Sequence, residues 1–243
     1  MKAYFNGVEL TQRFVLSDLS RPIAGMNAKT LDVPGMDGVL LKSANLNPST
    51  VSFTLWPHWM EKRELRAAVR EIAALMAVRE PAPLAFSDDD GLYYMAVPNG
   101  GMDVREFDDA FAVDCSFLLP SPAMYGEERS ASFSTSAGVE IHVGGSYPTK
   151  PVITVPLANF TVGGTWSVML DNSDFMRLSV GSSGTRAVEF DCEKRTAKVD
   201  GANAVTTLES DWFELTPGTH RISVQQGTVG NGATVSWVER WLA

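Results

Sequence analysis

FDCEKRTAKVDGANAV, residues 190–205, decides how the second half of this chain is read. Val188, Phe190 and Cys192 alternate with polar residues. A charged turn follows, then Ala197 and Val199 on a second alternating run, then Asp200-Gly201. Period-two alternation marks a half-buried strand. Asp-Gly favours the φ > 0 conformation of a tight hairpin turn. No catalytic set lies in the stretch. A unit of this kind exists to bury an apolar face, worth about 25 cal/mol per Å² removed from water.

Working outward, the pattern repeats. Val139-Ile141-Val143, Val152 to Val155, Trp166-Val168-Leu170, Met176-Leu178-Val180, Ile222-Val224 and Val235-Trp237 all alternate. Turn residues separate them at about ten-residue spacing, the signature of a β-sandwich. Toward the N-terminus the pattern changes. VSFTLW places Val51, Phe53 and Leu55 on one face. Leu65, Ala68, Val69, Ile72, Leu75 and Met76 then fall at helical spacing, so an amphipathic helix is expected over about 58–80. Pro57 suits its first turn, and Pro81 and Pro83 end it. LAFSDDDGLYYMAV reads as a hairpin around Asp90-Gly91, and FAVDCSFLL as a strand. The Pro- and Ser-rich PSPAMYGEERSAS marks a boundary. The expected fold is mainly β: an α+β N-terminal domain, residues 1–125, with one helix, and an all-β sandwich, residues 126–243.

The 243 residues carry a net charge of −9, spread evenly. Residues 1–125 hold 11 Lys and Arg against 16 Asp and Glu, and residues 126–243 hold 9 against 13. An acidic chain without a basic stripe argues against tight nucleic-acid binding. No apolar run is long enough for a membrane span. MKAYFNGVEL has no apolar leader core, so synthesis and folding in the cytoplasm are expected.

Chemistry-bearing patterns are few. Asp88-Asp89-Asp90-Gly91 could start a calcium loop, but Asn99 stands where the twelfth-position Glu belongs. A solvated hairpin tip is the simpler reading. Asp108 and Asp109 are adjacent and on a strand would point to opposite faces. His58, His142 and His220 are each isolated, and Cys115 and Cys192 sit at apolar alternating positions, as buried free thiols do. There is no GxSxG, GxxxxGK[ST] or strand-to-helix GxGxxG. No catalytic residue, metal ligand or cofactor is assigned.

The order of motifs resembles a known family. VPGMDGVLL (33–41), the helix LRAAVREIAALM, PLAFSDDDGLYYMAV and FDDAFAVDCSFLLPSPAMYG are similar to the N-terminal domain of distal tail proteins of long-tailed, siphovirus-type bacteriophages. GGSYPTKPVITV (144–155), VEFDCEKRTAKVDGANA (188–204) and SDWFELTPGTHRISV (210–224) resemble that family's galectin-like C-terminal sandwich. The resemblance implies a structural connector: a homo-hexameric ring joining the tail tube protein to the tail-tip or baseplate hub. It also implies a place in the virion tail after assembly in host cytoplasm. DNA and tape-measure protein would pass through the ring without specific binding. The sugar-binding HxNPR and WGxE patterns of galectins are absent, so the likeness is one of shape. Gly35, Met36, Asp37 and Gly38, where the chain must turn sharply, are the candidate interface residues. The alternative is a carbohydrate-binding adhesin module, which would need Trp166, Trp212 or Trp237 exposed in a groove.

Overall fold

The computed structural model describes residues 1–59, 61–100, 104–106, 111–158, 162–179, 181, 185–225, 228–229 and 232–242. Asp108, Asp109 and Val180 lie outside the described residues. The chain divides into two compact units: Met1–Gly126 with Trp241–Ala243, and Glu127–Arg240.

In the first unit, Ala3–Phe5 pairs with Val8–Glu9 and with Ala82–Phe86, which pairs with Tyr93–Pro98. Phe111–Leu119 pairs with Tyr93–Pro98, Val104–Glu106 and Ser49–Pro57, and Phe14–Ser20 lies beside Ser49–Pro57. All these pairings are antiparallel. Alternation delivers Val51, Phe53 and Leu55 to the same core as Val113, Cys115 and Phe117. The rings of Phe5, Phe53 and Phe86 cluster there, with Phe5 and Phe53 at 4.9 and 5.7 Å from Phe117. One helix, Lys62–Leu75, adds Leu65, Ala68 and Ile72.

That helix is shorter than expected, and Pro57 does not open it. Pro57 is instead the last residue of a strand, opposite Phe14. The His58 N–H donates to Arg13 O, so extended pairing continues past the proline. Pro lacks a donor and is tolerated at such a strand end. The helix starts only when Leu65 N–H reaches Glu61 O, and it ends at Met76.

The second unit is a two-sheet sandwich. One sheet runs Ala202–Ala204, Thr196–Val199, Arg186–Asp191, Val152–Ala158, Ala233–Leu242. The other runs Val139–Val143, Gly218–Gln225, Thr165–Leu170, Asp174–Ser179. Inward residues of both share one core, in which Trp166 meets Phe190 edge-on at 5.8 Å. The opening stretch is a three-strand meander. Asp200 and Gly201 have φ of 50° and 79°, as the tight turn between Val199 and Ala202 requires. At the other turn Asp191 accepts from the Lys194 N–H at 2.9 Å and from Lys194 Nζ at 2.8 Å.

Candidate assembly surface

Met26–Leu31 and Leu40–Leu46 form a two-stranded antiparallel sheet of their own. Its base is closed by Asn47 N–H on Gly25 O. At its tip Val33-Pro34-Gly35 turns the chain, with Met36 N–H on Val33 O at 3.1 Å and φ near +84° at Gly35 and Gly38. Gly35, Met36, Asp37 and Gly38 are all exposed.

Register sorts the side chains of the ribbon onto two faces. Met26 lies opposite Leu46, Ala28 opposite Ala44 and Thr30 opposite Leu41. Side chains alternate between faces, so these six share one face. Asn27 and Asn45, Lys29 and Ser43, and Leu31 and Leu40 share the other. The first face is apolar and yet open: Met26 is 61% and Leu41 65% exposed. Leu31 and Leu40, at the tip, are half exposed. A two-stranded ribbon is marginal in water unless it packs on something. The sequence reading marked the tip and missed this face, although the apolar–polar alternation of MNAKTL carries the signal.

Elsewhere, polar groups serve the fold. The triple acid is not a freely solvated tip: Arg21 reaches Asp88 at 2.6 Å and Asp89 at 3.2 Å, and stacks 4.6 Å over the Phe86 ring. The hydrogen bond from Arg21 holds the Asp88 carboxyl below its ordinary range, while burial pushes that of Asp89 up. His220 Nδ1 lies 2.7 Å from Asp171 Oδ2, and its Nε2 lies 2.7 Å from Thr216 O, tying a loop to a strand. Cys115 and Cys192 are buried free thiols, both pushed up to about 12 by burial. Among the described residues no three His, Cys, Asp or Glu side chains are grouped to hold a metal ion. Nor does any described helix have the length and apolarity to cross a membrane. Trp166 and Trp237 are buried and Trp212 packs half-buried against the same core. None of the three offers the exposed platform the adhesin alternative needs.

Comparison with known proteins places this architecture. Residues 6–119 match the phage tail protein RIFT-related domain, and residues 144–241 match the C-terminal domain of the siphovirus-type tail component. The two matches together span most of the chain, which belongs to the distal tail protein family of siphovirus-type phages. Its family is a structural component of the phage tail. The fold is that of the crystal structure of SPP1 Dit, described as a hub of the adsorption apparatus in phages infecting Gram-positive hosts. That match has a TM-score of 0.80 at 18% identity and covers 99% of both chains. Chains of the phage P2 baseplate in its activated conformation, with Ca and with Sr, match at TM-scores of 0.52 and 0.53. They are 9% and 8% identical, covering 95% and 97% of this chain and 92% and 96% of theirs. No curated protein sequence matches.

Proposed function

We propose that this chain is a non-enzymatic hub: six copies close into a ring that joins the tail tube to the tip or baseplate hub protein. The observation that carries the reading is the ribbon Met26–Leu31 and Leu40–Leu46, whose apolar face is left open by its own chain. Burying Met26 and Leu41, the two large side chains of that face that stand 61% and 65% exposed, supplies roughly 2–4 kcal/mol. Association costs at least about 4 kcal/mol, so one such contact makes a weak pair. Closure gives each subunit two contacts, which favours a ring over an open dimer. The net charge of −9 supports a lumen that lets DNA and tape-measure protein slide past without specific binding. The tip residues Gly35, Met36, Asp37 and Gly38 travel with the ribbon into this interface. Assembly would take place in host cytoplasm, and the finished ring would sit in the virion tail.

Light scattering across a concentration series tests the reading. The expected mass rises to six times the subunit mass, and M26D/L41D, at two exposed positions, holds the chain monomeric. A chain that stays monomeric at every concentration and forms no ring with tube protein in negative stain overturns it.

A further inference from the structure

We infer that the ribbon of one copy lies in an apolar cleft beside the helix of the next copy. This deepens the ring reading and rests on it. The cleft, of about 440 Å³, runs between the helix Lys62–Leu75 and the segment from Val8 to Phe14. Its apolar lining is Val8, Leu10, Phe14, Ala68, Ile72 and Leu75. A second hollow of about 560 Å³ shares Gln12 and Arg13 with it, and is walled by Trp59, which stands 96% exposed. The molecule thus carries an apolar element that projects and an apolar trough that receives.

Charge selects the occupant. Lys29 and Lys42 lie on the ribbon. The bulge between Lys29 and Thr30 leaves Lys42 as the extra residue beside Ser43, the partner of Lys29. Neither lysine has an ion-pair partner among the described residues. Like charges so close repel across a ribbon. The trough has the opposite sign. Glu9 and Glu71 line the cleft and Glu64, without an ion pair among the described residues, lines the adjoining hollow, against the one guanidinium of Arg13, which lies 3.5 Å from Glu71. Lysine side chains lay apolar stems along a surface and carry the charge past the ribbon edge to such a rim. Projecting and receiving surfaces are different patches of one chain. The contact is therefore head-to-tail, of the kind that closes into rings when the rotation permits.

Disulfide trapping tests this on the full chain. The native thiols of Cys115 and Cys192 are buried and leave added cysteines as the reactive ones. L41C places a thiol on the open face of the ribbon and A74C an exposed one in the cleft. Equimolar mixing and oxidation is expected to give covalent dimers that neither variant gives alone. The double variant L41C/A74C is expected to give a ladder that stops at six. K29E/K42E is expected to raise the concentration needed for assembly about tenfold, and adding E64K/E71K to restore it. Rings seen by light scattering without the mixed cross-link overturn the docking and leave the ring reading standing. Dimers from L41C alone, with a mass that stops at two subunits, show ribbons meeting face to face and also overturn it. A chain that is monomeric throughout and never cross-links overturns both.

Discussion

Gly138→Ala separates two costs that a glycine can carry. Gly138 ends the loop from Ser134, which is closed by Gly138 N–H on Thr135 O and tied to the strand Gly218–Gln225 by Val224 N–H on Ser136 O and the Arg221 guanidinium on Ala137 O. Its φ is +80°, and a Cβ there would sit inside contact with Ile222 O, 2.6 Å from Ile222 C and 2.7 Å from Ser223 Cα. The left-handed conformation costs a non-glycine residue about 1–2 kcal/mol. Clearing the clash moves backbone beside fully buried Ile222, an overpacking term of about 1–3 kcal/mol. G138A should therefore lose roughly 2–5 kcal/mol. Gly163, at φ +73° with nothing within 4 Å, pays the first cost alone, about 1–2 kcal/mol. Urea unfolding followed by circular dichroism gives both values. Hydrogen exchange at residues 218–225 should accelerate in G138A and stay unchanged in G163A. If G138A is no less stable than G163A, the close approach to Ile222 is not a constraint and the reasoning is wrong.

Two further outcomes follow from the ionisable groups. With thiols pushed up to about 12, Cys115 and Cys192 should leave an aromatic disulfide reagent unreacted at pH 8 in the native chain, and release two equivalents per chain in urea. At Asp171 burial pushes the carboxyl up, but the Arg221 N–H and His220 outweigh it; at Asp191 burial is outweighed by Lys194. Both end below their ordinary range. An acid held below its unfolded value near 3.9 stabilises the fold above that pH and loses that contribution as pH falls through its folded value. The urea midpoint should drop as pH goes below about 4, and D171N/D191N should flatten that drop.

Local pattern made much of this protein legible. Val188 and Phe190, Ala197 and Val199, and Asp200-Gly201 sit on the two strands and the turn their spacing announces, because strand period and turn chemistry act within a few residues; Cys192 falls in the turn just past the strand that ends at Asp191. The helix stripe at Leu65, Ala68 and Ile72 is local in the same way. Pro57, which its sequence context places at a helix start, stays extended instead because its neighbour in space is Phe14, 43 positions away in sequence. Arg21 with Asp88 and Asp89 is a contact of the same distant kind.

The sequence by itself determined which residues are apolar on which side of each strand, since alternation is a property of the strand alone. Only the tertiary structure decided which of those sides is covered. Val51 and Met26 both lie on alternating apolar faces, yet Val51 is fully buried and Met26 is 61% exposed. The reason is that burial depends on a second surface arriving from elsewhere in the chain. For the ribbon, no element of the described chain pairs with its strands beyond each other. Its uncovered face is the ground on which we propose that another subunit docks there.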